Sequence, residues 1–387
     1  MPKKTIVSLK QAAEYFLETY AEHPDRQYQP SREAAYSGKP WKYPVFAMMH
    51  LAVPGDQARG EEAPVFPEVR MAGNGVEARL ARELMARLEP LKLLNPVNIA
   101  LSPGGVNSYA LVPCFGIPLD KDAQNTPAFT LSIDKFLAMS SPDPERAGPL
   151  PDMRERIALI IQELPSAFKI QLPDMQGPFN LAHALFGNEV FTAPLDDDEK
   201  FRKAMKKITD FWIELYLNFR KWIGKERFSW DLKAGLPHIC ECSVNMVSEE
   251  FYKNHVLEHD LRIAGIFNQV SIHPCSGPHV FRATLENLPV KVSEAGFISK
   301  TASGCTSIDA ALAIAKQAGK SPFLKIGSEL PEKHEYEWIK DDIDRSVNDR
   351  SLIIEGYTGM HWRRKDRPFI RDLHRRLDDY WAVKFAG

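Results

Sequence analysis

From about Asn95 onwards, the chain alternates short apolar runs with longer amphipathic stretches. The runs have the length of buried strands, and the stretches have the periodicity of helices that bury one face. Repeated strand–helix units of this kind favour a parallel sheet covered by helices. About 290 residues of this pattern fit one (β/α)8 TIM barrel of the α/β class, whose size is about 250 residues plus insertions. A doubly wound open sheet is the alternative, although no glycine-rich phosphate-binding motif follows an early strand.

The N-terminal segment has a different texture. Two stretches, "PDRQYQPSREAAYSGKPWKYP" and "VPGDQARGEEAPVFPEVRMAGNG", are rich in proline, glycine and charge, which is typical of loops. The stretch "GVEARLARELMARLEPLKLL" has apolar residues at helical spacing. We therefore predict an N-terminal helical and looped cap over residues 1–94, packed on a barrel formed by residues 95–387.

The composition argues against several classes of function. A formal net charge of −2 disfavours nucleic-acid binding, because neutralising phosphates requires a basic surface. No apolar run reaches the roughly 18 residues of a membrane helix, so we expect neither nucleic acid nor a membrane as a partner. The N-terminal residues turn amphipathic after two lysines, unlike a signal peptide. Five cysteines without an export signal predict reduced thiols in a cytoplasmic protein.

Functional residues of such a barrel lie at the carboxyl ends of its strands and in the loops that follow. Side chains alternate along a strand, so His273 and Cys275 should point the same way. By the same rule, Cys240 and Cys242 should share one side, and Glu241 should face away. Five predicted strand ends carry distinctive groups: "LSPGG", "PDMQGPF", "HICECS", "IHPC" and "IGSELPE".

The His-x-Cys pair of His273 and Cys275 offers an imidazole nitrogen and a thiolate sulfur, which are both zinc ligands. A catalytic zinc needs a third protein ligand and keeps one position open. The alternative is a hydrogen-bonded histidine beside an inert cysteine in the barrel floor.

The neighbouring strand ends carry further residues for which a structural and a functional role must be compared. Cys240 follows Ile239 in an apolar strand, so we assign it to the core. Glu241 is a carboxylate in a buried strand and needs a partner or a ligand, which favours a functional role. Asp174 and Gln176 lie in a turn beside the expected pocket, although Asp174 is equally well placed to cap the following helix.

Five segments in this order resemble the uroporphyrinogen decarboxylase superfamily. They are "DMQGPFNLAHALFG", "PLDDDEKFRKAMKKITDFWIELYLNF", "CECSVNMVSEEFYKNHVLEHDLRI", "IHPCSG" and "SLIIEGYTGMHW". The likeness covers about Asn95 to Trp362 and leaves the N-terminal cap outside. It implies a (β/α)8 barrel, in agreement with the periodicity.

The decarboxylase branch of that superfamily implies an Arg-x-x-Gly-Arg-Tyr loop near the N-terminus and an aspartate ending the first strand. This sequence has no such loop before Asn95, and Pro103 stands at the aspartate position. The family tyrosine falls near His183, the serine of its Asp-Ser-Trp strand becomes Cys242, and its late histidine falls at or next to Thr358. A substrate with eight carboxylates needs cationic partners, and this set is missing.

The other branch comprises cobalamin or coenzyme M methyltransferases, in which His-x-Cys provides two zinc ligands. There, zinc lowers the pKa of a thiol so that the thiolate attacks a methyl group, or it activates a methyl donor as a Lewis acid. The family's third ligand is a cysteine in a Gly-Cys-Gly segment, where this chain has Thr358. Cys242 and Glu329 are the favoured replacements, ahead of Cys305 and His361.

We therefore predict a zinc-dependent methyltransferase that works with a corrinoid protein and a small-molecule methyl donor. The alternatives are a cofactor-free decarboxylase acting on uroporphyrinogen or another carboxylate, and a non-catalytic barrel that binds a tetrapyrrole-like ligand. The resemblance also suggests a homodimer. The candidate residues are Glu241, Asp174 and Gln176 for catalysis, Cys242, Tyr357, Thr358 and His183 for substrate binding, and His273, Cys275 and Glu329 for the metal.

Overall fold

The computed structural model describes most of the chain between residues 100 and 295 and shorter segments on either side. The described residues are 8–21, 46–49, 75–86, 100–104, 108–120, 123, 125–229, 236–274, 277–295, 308–320, 323–329 and 352–357, with residues 340, 344, 376, 379, 380 and 383. For the strands at 46–49, 323–329 and 352–357 the description is of the backbone.

Helices and strands follow one another in the order expected of an α/β chain. They are α1 Leu9–Ala21, β1 Phe46–Met49, α2 Val76–Ala86, β2 Ala100–Leu101, β3 Leu119–Asp120, β4 Thr126–Pro127, α3 Ile133–Ala138, α4 Leu150–Glu163, β5 Lys169–Ile170, α5 Pro178–Phe186, α6 Glu189–Asp196, α7 Asp198–Ile223, β6 His238–Cys240, α8 Glu249–His255, α9 Leu257–Phe267, β7 Val270–His273, α10 Pro278–Asn287, β8 Val290–Ala295, α11 Ile308–Gln317, β9 Phe323–Glu329 and β10 Leu352–Tyr357. Short 3-10 turns occupy Val112–Phe115 and Cys242–Met246.

The chain divides into two compact units. Unit 1 contains Met1–Ile99, Gln162–Phe168 and Lys325–Gly387, and unit 2 contains Ala100–Ile161 and Lys169–Leu324. The predicted boundary after residue 94 lies close to the division after Ile99. Residues 325–387 belong to unit 1 together with residues 1–99, and the division into an N-terminal cap and a barrel stays a prediction.

Unit 1 combines two packed helices with a parallel strand pair. Helices α1 and α2 pack together, and the backbone N–H of Leu9 donates to Glu77 Oε1 at 3.2 Å. The Phe16 ring of α1 lies 5.7 Å from that of Phe168, so residues 162–168 contribute to this small core. Strand β1 pairs in parallel with β10.

Unit 2 carries the strand–helix units that the periodicity predicted. Strand β7 pairs in parallel with β6 and with β8. Helices α8 and α9 connect the first pair, and α10 connects the second. Strand β2 pairs in parallel with β5, and β3 pairs antiparallel with β4. The mixed α/β class is confirmed. Within the described residues no sheet closes into a ring, so the eight-stranded barrel stays a prediction.

The long helix α7 fixes the loop that leads from β5 to α5. Asp197 caps its N-terminus, because the side chain accepts a hydrogen bond from the backbone N–H of Lys200 at 3.0 Å. The buried Trp212 indole N–H lies 2.8 Å from the carbonyl oxygen of Met175 and 2.9 Å from that of Gln176. The loop at residues 175–176 is therefore held against α7. None of the described helices is both long and apolar enough to cross a bilayer.

Candidate metal centre

Three side chains with soft ligand atoms converge at the carboxyl ends of two neighbouring strands. Cys240 ends β6, His273 ends β7, and the two residues are partners in the parallel register. Cys242 opens the 3-10 turn that follows β6. The ligand atoms of these three residues all lie within 4.8 Å of one another. We call Cys240, Cys242 and His273 the ligand group.

The spacing of the two sulfur atoms fits a tetrahedral zinc site. Cys240 Sγ and Cys242 Sγ lie 3.8 Å apart. Zinc–sulfur bonds of about 2.3 Å at a tetrahedral angle place two sulfurs about 3.8 Å apart, whereas a disulfide bond is about 2.05 Å long. All three side chains of the ligand group are half-buried. The group therefore offers two sulfurs and one imidazole close enough together to hold a metal ion.

A change of backbone direction at Glu241 brings the two sulfurs together. The N–H of Glu241 still donates to the carbonyl oxygen of His273 at 2.9 Å, which extends the pairing of β6 with β7. Its φ of −114° and ψ of 55° then lead the chain out of the strand. Cys242 consequently lies in a turn rather than in an extended strand. The expectation that Cys240 and Cys242 share one side while Glu241 faces away is confirmed, although the strand itself ends at Cys240.

The side chain of Glu241 points away from the ligand group and into the interior. It is fully buried. Its Oε1 accepts the N–H of Phe179 at 2.9 Å, and its Oε2 accepts the N–H of Asn180 at 2.8 Å. These donors belong to the first turn of α5, where a carboxylate is favoured by otherwise unpaired N–H groups and by the helix dipole. The partner that this buried carboxylate requires is thus the start of a helix.

Gly177 permits the close approach of Glu241 to α5. A Cβ atom at residue 177 would lie 2.4 Å from Glu241 Cδ and from Oε1, closer than nonbonded atoms can approach. The N–H of Gly177 also donates to the carbonyl oxygen of Cys240 at 2.7 Å. The sequence "QGPF" therefore holds the β5–α5 loop directly against the residues that carry the two sulfurs.

A second buried carboxyl group influences Glu241. Asp260 Oδ2 accepts the Tyr252 hydroxyl at 2.8 Å, and both residues are fully buried. Burial raises the pKa of Asp260 to about 7. Burial, followed by the charge of Asp260, raises the pKa of Glu241 well above its usual value. We call Glu241, Asp260 and Tyr252 the buried carboxyl group; sequence reasoning missed its last two members.

A chain of hydrogen bonds runs from the β5–α5 loop to the turn that carries Cys242. Gln176 Nε2 donates to Asp174 Oδ1 at 2.6 Å, and Asn180 Nδ2 donates to Gln176 Oε1 at 2.5 Å. The N–H of Ser243 donates to Asn180 Oδ1 at 2.6 Å, and Ser243 Oγ lies 2.9 Å from His183 Nδ1. Three predicted site residues, Asp174, Gln176 and His183, therefore belong to one network beside the ligand group.

His183 sits at the half-exposed end of this network, on α5. Its ring packs edge-on against Phe191 with the centroids 4.9 Å apart. Burial lowers the pKa of His183 below its usual value, which favours a neutral imidazole at pH 7. A neutral imidazole has one nitrogen that accepts a proton.

The remaining predicted residues fall in less described parts of the chain. Cys275 and Thr358 lie outside the described residues, and Glu329 and Tyr357 end β9 and β10, whose backbones alone are described. Metal binding by Cys275 and Glu329 therefore stays a prediction. Cys240, which the sequence assigned to the core, is half-buried and belongs to the ligand group. The Cys-x-Cys spacing was the available signal for it.

No protein-family model matches the chain, and the search of curated proteins gave no match either.

Proposed function

We propose that this chain is a zinc-dependent methyltransferase with a uroporphyrinogen decarboxylase-like (β/α)8 barrel, in which Cys240, Cys242 and His273 hold the zinc. The observation that carries the proposal is the convergence of three ligand atoms within 4.8 Å at the ends of β6 and β7. Ends of parallel strands are where barrel enzymes place their functional groups. Three protein ligands and one open position are the arrangement of catalytic zinc sites.

The ligand set favours transfer of an alkyl group to a thiol. When bound, zinc would lower the pKa of a coordinated thiol and so hold a thiolate at neutral pH. Two cysteine thiolates already balance the charge of Zn²⁺, so a third thiolate gives the centre a net negative charge. Such a thiolate would keep enough electron density to form a bond to a methyl group, while the bond between that methyl group and its donor breaks and the electron pair stays with the donor. A corrinoid protein is the proposed methyl donor, in line with the resemblance of the sequence.

The ligand set proposed here differs from the one expected from sequence. The sequence favoured His273 and Cys275 with Glu329 or Cys242 as the third ligand, whereas the described geometry supports His273 with Cys240 and Cys242. The two sets share His273 and make different predictions for single cysteine variants. In our proposal, Cys240→Ala abolishes zinc binding and Cys275→Ala does not.

Elemental analysis of the protein purified without added metal tests this proposal. We expect about one zinc per chain in the wild type and loss of that zinc in Cys240→Ala, Cys242→Ala and His273→Ala. Cys114→Ala is the matched control. Cys114 is buried, and burial raises the pKa of its thiol to about 12, so its removal should leave the zinc in place.

Three results would contradict the proposal. A wild-type protein without zinc that decarboxylates a carboxylate substrate would favour the cofactor-free decarboxylase. A protein without zinc that changes the spectrum of a tetrapyrrole without turnover would favour the binding barrel. Zinc retained in Cys240→Ala but lost in Cys275→Ala would restore the ligand set expected from sequence.

A further inference from the structure

We propose that His183, acting through the Ser243 hydroxyl, accepts the proton that the substrate thiol loses when it binds at the ligand group. This inference rests on the proposed function and extends it, because a thiol that becomes a zinc-bound thiolate must pass its proton to a base. It assigns the His183–Ser243 pair to proton transfer and the ligand group to metal binding.

The position of Ser243 is the first argument. Ser243 follows Cys242 directly in the turn Cys242–Met246, and consecutive Cα atoms are about 3.8 Å apart. Its Oγ lies 2.9 Å from His183 Nδ1. A hydroxyl is both a donor and an acceptor, so Ser243 can take a proton from a thiol while it gives its own proton to His183.

The neighbouring carboxylates are engaged elsewhere, which is the second argument. Glu241 turns away from the ligand group and accepts two backbone N–H groups of α5. Asp174 accepts the amide N–H of Gln176 at the far end of the network. Of the titratable side chains described in this network, His183 is the one that contacts the turn beside Cys242.

The network itself orients Ser243, which is the third argument. Gln176 presents its NH2 group to Asp174 Oδ1. Gln176 Oε1 then faces the NH2 group of Asn180, and Asn180 Oδ1 faces the backbone N–H of Ser243. Each amide orientation follows from the one before it. Asp174, Gln176 and Asn180 are therefore positioning residues for Ser243.

The proton transfer balances without an outside reactant. The thiol S–H bond breaks as the sulfur binds the metal. The Ser243 hydroxyl accepts that proton and passes its own to His183 Nδ1, so His183 becomes an imidazolium and Ser243 is unchanged. His183 is half-exposed, which lets it return the proton to water. Its pKa, lowered by burial, favours this return at pH 7.

The test uses the full chain loaded with cobalt(II) in place of zinc and 2-mercaptoethanol as the probe thiol. Thiolate binding to cobalt produces a sulfur-to-metal charge-transfer absorption, whose rate of appearance stopped-flow mixing measures. We expect His183→Ala to slow this rate about 100-fold, within the range of general base catalysis, with an unchanged cobalt content. Ser243→Ala should slow it similarly. Added imidazole should restore the rate of His183→Ala and leave the wild type no faster.

His255→Ala is the matched control, because its ring also packs edge-on against a phenylalanine, Phe251, with the centroids 4.9 Å apart. This variant should bind thiol at the wild-type rate. His183→Asn covers the case in which His183→Ala fails to fold, since an amide keeps a hydrogen bond to Ser243 but is not a base.

The outcomes separate this inference from the proposed function. Wild-type rates in His183→Ala or His183→Asn with full cobalt content, or a slow variant that imidazole does not restore, would overturn the inference and leave the metal centre intact. A wild-type protein that binds no cobalt, or whose cobalt spectrum does not respond to the thiol, would overturn the proposed function and the inference together.

Discussion

The ligand group and the buried carboxyl group share the segment 240–242, and they differ in exposure. The ligand group is half-buried and offers two sulfurs and an imidazole. The buried carboxyl group is closed to solvent, and the contacts of its two carboxyl groups are a helix N-terminus and a tyrosine hydroxyl. Cys240 and Cys242 are therefore partly accessible to solvent, whereas Glu241 between them is fully buried.

The difference in exposure separates residues that bind a metal or a substrate from residues that stabilise the fold. Polar atoms that bind a metal or a substrate must stay accessible, whereas buried polar atoms need internal partners to offset the cost of desolvation. Changes in the ligand group should therefore alter metal content and activity with little effect on folding. Changes in the buried carboxyl group should alter the free energy of unfolding first.

The largest change in stability is expected for Glu241→Ala. It leaves the N–H groups of Phe179 and Asn180 without their acceptor in a buried site, and each such group costs about 1–3 kcal/mol. We expect a loss of about 4 kcal/mol in the free energy of unfolding. Urea denaturation of the chelator-treated protein measures it without a contribution from metal binding.

Cys242→Ser is the comparison for Glu241→Ala, because it changes the ligand group while leaving the buried carboxyl group intact. In the chelator-treated protein we expect a change of less than about 1 kcal/mol, as for most substitutions outside a packed core. Equal losses in the free energy of unfolding of Cys242→Ser and Glu241→Ala would show that the difference in exposure does not determine which residues stabilise the fold.

A smaller loss of stability is expected for Gly177→Ala. The added methyl group would lie 2.4 Å from the buried Glu241 carboxyl group, and overpacking of this kind costs about 1–3 kcal/mol. Gly265→Ala is the control, because no atom lies within 4 Å of a Cβ at that position in α9. Alanine is the better helix former there, so the control should gain about 0.5–1 kcal/mol. Chelator-treated protein and urea denaturation again give the values, and the same sign in both variants would contradict this account.

Local patterns of the sequence were sufficient for the strand–helix order around the site. The predicted strand ends in "HICECS" and "IHPC" are the ends of β6 and β7. These elements depend on the periodicity of apolar side chains along a short segment, which a single sequence shows. His273 at a strand end was predicted for the same reason, and its place in the ligand group agrees with that prediction.

Contacts between residues far apart in the chain could not be predicted from the sequence. The acceptor role of Glu241 joins it to Phe179 and Asn180, which lie 62 and 61 residues away in the chain. The sequence indicated that this carboxylate needs a partner but could not identify a helix N-terminus as that partner. Cys240 was assigned to the core because it follows Ile239 in an apolar strand. The exposure of a residue at a strand end depends on where the next turn leads, and that turn begins at Glu241.

The most gradual effect concerns pH and Asp260. Burial raises the pKa of Asp260 to about 7, from an ordinary value of 3.8. A carboxyl group whose pKa is raised by folding supports the native state fully below 3.8, and this contribution is lost as the pH rises through about 7. We expect the wild type to lose about 2 kcal/mol relative to Asp260→Asn between pH 5 and pH 7. Urea denaturation of both proteins across this range measures the difference.

The control for this pH dependence is Asp198→Asn, since the hydrogen bond from Arg202 lowers the pKa of Asp198. A lowered pKa stabilises the native state above the unfolded value and ceases to do so as the pH falls through the folded value. Asp198→Asn should therefore be less stable than the wild type at pH 7, whereas Asp260→Asn should gain on the wild type as the pH rises. Parallel pH profiles of the wild type and Asp260→Asn would show that ionisation of Asp260 does not lower the free energy of unfolding, and would contradict the raised pKa on which this prediction rests.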